Sequence, residues 1–242
     1  MLPFFSLFAV AILQAMLPLR DLNRSTRPPV VNWAIIAINA ILFFYELSLG
    51  PGLEGFINQA AFIPGRFFDP AIGPGAVGEL RSALLSMFLH GGWAHFLGNM
   101  LFLWIFGDNI EDRLGHVRYA IFYLLSGYAA TFAHAFASPH SAVPAIGASG
   151  AISGVLGAYV ILFPGARIVT LIFLGFFARM VEIPAWVYLP VWFLMQLFSG
   201  LASLDTPAEQ AGVAWFAHIG GFVAGAIIAI PLRLRDRRRY GV

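Results

Sequence analysis

Apolar residues along the chain fall into long runs that are separated by short polar or charged links. A helix needs about 20 apolar residues to cross about 30 Å of hydrocarbon, and six of these runs approach or reach that length. They cover residues 30–48, 82–106, 118–136, 148–163, 184–201 and 213–232. The pattern predicts an all-α polytopic membrane protein with six transmembrane helices.

Two stretches do not fit this pattern of spans. Residues 168–180 are apolar but short, with Arg167 before them and Arg179 near their end, so we expect them to lie at the membrane interface or to re-enter. Residues 49–81 are rich in Gly and Pro yet contain several phenylalanines, which a solvated loop would not need. We expect this second stretch to fold partly into the membrane face. Its phenylalanines are Phe56, Phe62, Phe67 and Phe68.

Composition and charge support a membrane protein. The 242 residues are 60% hydrophobic and 11% charged, whereas soluble domains carry about 25% charged residues. All basic residues are arginines, and if six spans exist, only Arg66 and Arg81 fall on the outer side. The positive-inside rule then places both termini in the cytoplasm. The net charge of +2 gives no reason to expect nucleic acid, and the absence of cysteine excludes disulfides and thiolate metal ligands.

The ends of the chain are expected to lie outside the membrane. Residues 1–15 are apolar but lack a basic n-region, so we interpret them as a dispensable extension, as sequence upstream of a start at Met16, or as an interfacial anchor. The predicted division is an N-terminal extension and cytoplasmic segment over 1–28, a membrane domain over 29–235 and a basic cytoplasmic tail over 236–242.

Ser149 is the first polar residue that suggests chemistry. It lies between Gly147 and Gly150, where a loop gives way to the fourth apolar run. Free backbone N–H groups at a helix start stabilise a developing anion, so a serine at this position can act as a nucleophile. The alternative is that Gly150 and Gly154 only allow two membrane helices to pack closely.

His218 is the matching candidate base. It is the only side chain of the sixth run that titrates near neutral pH, and Gly221 and Gly225 leave its helix face bare. The fourth and sixth helices could therefore approach closely enough for a neutral imidazole to accept the serine proton. The alternative is a histidine bonded to a backbone carbonyl. The nearest preceding carboxylates, Asp205 and Glu209, lie outside the run, so the sequence predicts a dyad rather than a triad.

His95 and Asn99 form a third polar set. Their i, i+4 spacing places both on one helix face, and both can donate hydrogen bonds, as an oxyanion hole requires. They could instead tie helices together. Zinc held by His90, His95 and His218 is disfavoured because no glutamate lies beside them as in H-E-x-x-H. No metal or other cofactor is predicted.

These motifs together resemble the rhomboid family of intramembrane serine proteases, over roughly residues 16–235. The resemblance rests on residues 90–99, 111–113, 147–150 and 218–221, in the order and spacing of that family. It implies that Ser149 is the nucleophile and His218 the general base. His95 and Asn99 would be the side-chain oxyanion donors, with the Ser149 backbone N–H as a third.

The resemblance also assigns structural residues. Glu111 and Arg113 match an E-x-R pair, and Arg81 matches the arginine of a W-R pair in which Leu80 replaces the tryptophan. Ser153 stands where some members place an aromatic residue against the histidine. The implied fold is a six-helix rhomboid-like bundle whose short, central fourth helix starts within the membrane.

The function implied is that of an intramembrane serine endopeptidase. It would cut peptide bonds in or near the transmembrane segment of single-pass membrane proteins through a Ser-His dyad and an acyl-enzyme. One alternative is a catalytically silent rhomboid-like factor that binds membrane proteins, although such relatives typically lack the serine or the histidine. A transporter is disfavoured because the sequence lacks internal repeats and charged midplane residues. The expected location is a prokaryotic inner membrane, and no oligomeric state is predicted.

Overall fold

The computed structural model describes residues 16–69, 71, 73–174, 177–203 and 214–240, and the chain is mostly helical over them. Four of the helices are long and apolar enough to cross a membrane. They are Val30–Ser48, His116–Ala137, Ala185–Ser203 and the first 22 residues of the last helix, Trp215–Asp236. The prediction of a polytopic helical membrane protein is therefore confirmed.

The described elements follow one another in a simple order. The helices are α1 (Val30–Ser48), α2 (Leu53–Ala60), α3 (Pro64–Phe68), α4 (Gly75–Ser86), α5 (Trp93–Leu114), α6 (His116–Ala137), α7 (Ser149–Leu162), α8 (Ala185–Ser203) and α9 (Trp215–Tyr240). The strands are β1 (Met16–Asp21), β2 (Arg167–Leu174) and β3 (Phe177–Pro184). The predicted extension 1–15 lies outside the described residues, and α9 continues into the segment predicted as a tail.

Large apolar side chains point outward from the long helices. Ile41 on α1, Phe136 on α6, Phe198 on α8 and Ile227 on α9 are each at least 60% exposed. Exposed apolar surface spread over several helices would be costly in water. A lipid bilayer removes that cost.

Helix α7 is short, and its residues 150–159 are all buried. It packs chiefly against α9 and α6. The close approach depends on glycine. A Cβ atom placed on Gly221 would lie 2.0 Å from the carbonyl oxygen of Gly150, and one on Gly225 would lie 1.9 Å from that of Gly154. The backbones of α7 and α9 are therefore in direct contact.

The prediction of one continuous span over 82–106 is wrong. Helix α4 ends at Ser86 and α5 begins at Trp93, so a break separates them. Gly92, at the N-cap of α5, has a φ of 147°, a conformation that favours glycine. The Gly91-Gly92 pair therefore breaks the helix that the apolar residues on either side would otherwise form as one continuous span.

The prediction of an all-α fold is also wrong, because β1, β2 and β3 form an antiparallel sheet in that order. Of residues 168–180, expected to lie at the interface or re-enter, those up to 174 belong to β2 and those from 177 onward belong to β3. Their β-branched residues favour strand, and a hairpin satisfies its own backbone groups. Strand β1 pairs with β2 from Met16↔Ile172 to Asp21↔Ile168. Strand β2 pairs with β3 from Arg167↔Pro184 to Leu174↔Phe177.

The described residues of the segment 49–81 form short helices that pack on the rest of the protein. Phe62 is completely buried, and its carbonyl oxygen accepts a hydrogen bond of 2.8 Å from the Ala145 N–H. The Phe67 ring contacts Phe132 of α6, with ring centroids 5.6 Å apart. This segment therefore supports the loop that leads into α7.

Glu111 and Arg113 join separate helices near the end of α5. The buried Glu111 carboxylate accepts hydrogen bonds from the Val31 and Asn32 backbone N–H groups, at 2.9 and 2.7 Å. It thus satisfies donors in the first turn of α1, which has no cap of its own. Arg113 pairs with Asp236 of α9.

Asp21 fastens β1 to the helices. Its carboxylate accepts hydrogen bonds from the Tyr159 hydroxyl at 2.5 Å and from the Asn109 amide at 2.9 Å. Burial raises the pKa of Asp21 to about 6, an effect that outweighs the hydrogen bond from Tyr159. The segment before the first long helix is therefore held by both a strand pairing and a polar cluster.

Candidate functional site

Ser149 is the first residue of α7, as expected from the Pro- and Gly-containing loop before it. Gly147, two residues earlier, has a φ of 125°, and its N–H donates a hydrogen bond of 2.8 Å to the Ser86 carbonyl. A Cβ atom on Gly147 would come within 2.6 Å of His95 Nε2. Glycine is thus needed here both for the turn and for the approach of His95.

His218 of α9 reaches Ser149 across the glycine contact. Its Nε2 lies 2.9 Å from Ser149 Oγ, within hydrogen-bond distance. The close packing of Gly150 against Gly221 makes this distance possible, since Gly150 directly follows Ser149 and Gly221 lies one turn after His218. A neutral imidazole in this position can take the serine proton.

His95 and Asn99, on consecutive turns of α5, face the same space. The Gly91 N–H lies 3.4 Å from His95 Nδ1 and donates to it, so the ring hydrogen belongs on Nε2, the nitrogen nearer Gly147. The Asn99 amide nitrogen is buried and has no hydrogen-bond partner among the residues that the structure describes. A buried donor without a partner costs about 1–3 kcal/mol, and an oxyanion beside it would remove that cost.

These side chains open onto a cavity of about 800 Å³. Its polar lining includes His95, Asn99, His134, Ser149, Gln196 and His218. The cavity combines a serine with an adjacent base, two side-chain donors and the unpaired N–H groups of a helix start. That set of groups is suited to attack on a carbonyl carbon and to stabilisation of the resulting anion.

Gln196 is the residue that the sequence reasoning missed. It lies on α8, and its Oε1 is 2.7 Å from His218 Nδ1. Trp192, one turn earlier, has its ring centroid 6.1 Å from that of His218, and Trp215 approaches the imidazole edge-on at 6.2 Å. A signal was present, since Gln196 is the only amide in the run 184–201 and polar groups at membrane depth mark function.

The remaining predicted residues take other positions. Arg81 is exposed, and the backbone carbonyl of Leu80 accepts a hydrogen bond of 3.2 Å from the Tyr128 hydroxyl. The Ser153 hydroxyl donates to the Ser149 carbonyl at 2.7 Å, so it is engaged within α7. Asp205 and Glu209 lie outside the described residues. Within the described ranges, no three metal-binding side chains converge.

Fold and site define a class of protein: a multi-pass helical membrane protein with a hydrogen-bonded serine and histidine beside a polar cavity. A family model described as "Rhomboid domain" matches residues 77–235. The chain therefore belongs to the rhomboid family.

Known relatives carry this family name. The chain is 30% identical over 205 residues to "Rhomboid protease GluP" of Bacillus subtilis, covering 84% of this chain and 36% of that protein. It is 32% identical over 228 residues to "RHOMBOID-like protein 4" of Arabidopsis thaliana, covering 88% and 52%. A shorter match is to "Inactive rhomboid protein 1" of Drosophila melanogaster. It is 33% identical over 84 residues and covers 35% of this chain and 6% of that protein. The chain thus spans about half or less of these relatives' lengths.

Proposed function

We propose that this protein is an intramembrane serine endopeptidase with Ser149 as nucleophile and His218 as general base. The observation that carries the proposal is the 2.9 Å contact between Ser149 Oγ and His218 Nε2 at the wall of the cavity. The relative named a protease supports the same class of activity. Such a hydrogen-bonded pair is the arrangement by which a neutral base activates a hydroxyl.

In the proposed reaction, Ser149 Oγ attacks the carbonyl carbon of the scissile peptide bond while its proton passes to His218 Nε2. His95, Asn99 and the Ser149 backbone N–H donate hydrogen bonds to the oxyanion. The C–N bond then breaks, and the leaving amine takes the proton from His218. Water, deprotonated by the same histidine, then attacks the ester carbon of the acyl-enzyme. The C–O bond to Ser149 breaks, and Ser149 Oγ takes the proton back from His218.

We propose six spans in total. Helices α5 and α7 are the two spans beyond the four candidates. The apolar part of α5 is followed by the charged segment 108–113, and α7 is short and buried. An even number of spans places both termini on the side that carries twelve of the fourteen arginines. We therefore propose cytoplasmic termini and, as the location, a prokaryotic inner membrane.

The proposed substrates are single-pass membrane proteins in the same lipid bilayer. An extended peptide must reach Ser149, and unwinding a helix in lipid leaves backbone groups that need new partners. Helix-breaking residues in the substrate lower that cost. We expect cleavage to be fastest where the substrate helix is easiest to unwind.

The test is labelling of the detergent-solubilised protein with a fluorophosphonate probe. We expect the wild type to be labelled and both Ser149→Ala and His218→Ala to be unlabelled, while all three insert and purify normally. Ser153→Ala is the matched control, because it removes another hydroxyl from the same helix. Labelling that persists in Ser149→Ala would place the reactive group elsewhere.

The second candidate is a catalytically silent rhomboid-like factor that binds membrane proteins. It is favoured by the match to a relative named inactive. A well-folded wild-type protein that takes up no probe in lipid nanodiscs would support this second function. Co-purification of an intact single-pass protein would then be the readout.

A further inference from the structure

His218 has two ring nitrogens, and only one of them can accept the serine proton. For Nε2 to accept from Ser149 Oγ, it must be free of hydrogen, so the ring hydrogen must be on Nδ1. The partner of Nδ1 therefore decides whether the pair is competent. In the structure, that partner is the Gln196 side chain of α8, at 2.7 Å.

We propose that Gln196 is a positioning residue that fixes the reactive tautomer and the ring orientation of His218. Its Oε1 accepts the Nδ1–H bond, which leaves the Nε2 lone pair directed at Ser149. This inference rests on the proposed function. It gives Gln196 the orienting role that an aspartate has in a triad, but without a charge.

A neutral acceptor suits this location. A carboxylate in a membrane helix would be costly to desolvate, whereas an amide oxygen accepts the same hydrogen bond without an unpaired charge. Trp192, four residues before Gln196, lies against the same imidazole ring, so one face of α8 supplies both contacts. Ser153, where an aromatic residue could have held the ring, is instead bonded within α7.

The proposal requires that the Gln196 side chain present its oxygen, and not its nitrogen, to His218 Nδ1. If Gln196 presented its nitrogen to Nδ1, the ring hydrogen would move to Nε2, which could then donate to Ser149 but not accept its proton. Gln196 also lines the cavity, where water can accept from its amide N–H groups. With Oε1 toward His218, both ends of the amide are therefore satisfied.

The first measurement compares fluorophosphonate labelling rates. Gln196→Leu removes the acceptor at similar size and should lower the rate by about tenfold to a hundredfold, the cost of losing one buried hydrogen bond. Gln196→Glu restores an acceptor oxygen and should recover most of the rate. Leu194→Ala, a change at an exposed residue of the same helix, is the control and should label like wild type.

The second measurement reads the tautomer itself, by ¹⁵N NMR of protein labelled with [¹⁵N]histidine. Signals of His218 are identified by their loss in His218→Ala. We expect hydrogen on Nδ1 in the wild type and a shift toward hydrogen on Nε2 in Gln196→Leu. A wild type with hydrogen on Nε2, or a Gln196→Leu variant with unchanged tautomer and rate, would overturn the proposal.

The two measurements separate this inference from the proposed function. A wild type that does not react with the probe refutes the protease, while its His218 tautomer still tests the role of Gln196. If Gln196→Leu does not fold, the wild-type spectrum and the Gln196→Glu rate remain decisive. A slow Gln196→Glu variant with hydrogen on Nε2 would contradict the inference.

Discussion

Gly221→Ala should separate α7 from α9 and thereby disable the Ser149–His218 pair. The added Cβ would lie 2.0 Å from the Gly150 carbonyl oxygen, while an ordinary van der Waals contact begins at 3.4 Å. Because the obstacle is backbone rather than a flexible side chain, the helices must move apart by about 1.4 Å at this point. His218 lies one turn away, so its 2.9 Å contact with Ser149 should lengthen beyond hydrogen-bond range.

The expected loss can be estimated from this displacement. A misplacement of about 1 Å costs about a hundredfold in rate, and overpacking a core costs about 1–3 kcal/mol of stability. We therefore expect Gly221→Ala to label with fluorophosphonate at least about a hundredfold more slowly and to unfold at a lower temperature. The assay is the labelling rate in detergent, paired with a thermal unfolding scan of the same sample.

Two further variants distinguish geometry from stability. Gly225→Ala produces a similar backbone clash, with its Cβ 1.9 Å from the Gly154 carbonyl oxygen, but two turns from His218. It should therefore lower the unfolding temperature as much as Gly221→Ala does, while slowing labelling less. Gly55→Ala in α2 meets no described atom within 4 Å, so it should neither slow labelling nor lower the unfolding temperature. The reasoning is refuted if Gly221→Ala labels and unfolds like the wild type.

Two other predictions concern single side chains. Asn99→Ala removes one oxyanion donor and should lower the labelling rate by about 10²–10³-fold while leaving it measurable; an unchanged rate would remove Asn99 from the oxyanion hole. Burial raises the pKa of Asp21 in the folded state from 3.8 to about 6. The protonated carboxyl therefore contributes to the free energy of unfolding below pH 3.8, and this contribution is lost as the pH rises toward about 6. Asp21→Asn should therefore show a smaller fall in unfolding temperature between about pH 4 and about pH 7 than wild type, and an equal fall would contradict this assignment.

The serine and the histidine could be predicted because each is recognisable within its own stretch of sequence. Ser149 lies between Gly147 and Gly150 where a loop meets an apolar run, and His218 shares a helix face with Gly221 and Gly225. Glycines spaced along one face of a helix also predict a tertiary contact, because they allow a second helix to pack closely against that face.

Gln196 and the sheet depend on information that no single stretch contains. The role of Gln196 follows from which face of α8 meets α9, and the sequence pattern of α8 is apolar almost all round. The strands β2 and β3 look like a short apolar run because apolar residues in a short stretch do not distinguish strand from helix. Their pairing partner, β1, lies far away in the sequence.

That separation has a consequence for how the protein is made. Met16 pairs with Ile172, and Asp21 accepts one of its two side-chain hydrogen bonds from Tyr159. At a synthesis rate of about 5–20 residues per second, β1 waits roughly eight to thirty seconds before β2 has left the ribosome. A segment that is translated early is thus among the last to reach its native contacts. A nascent chain that is arrested before residue 167 should leave β1 open to added protease, whereas release of the full-length chain should protect it.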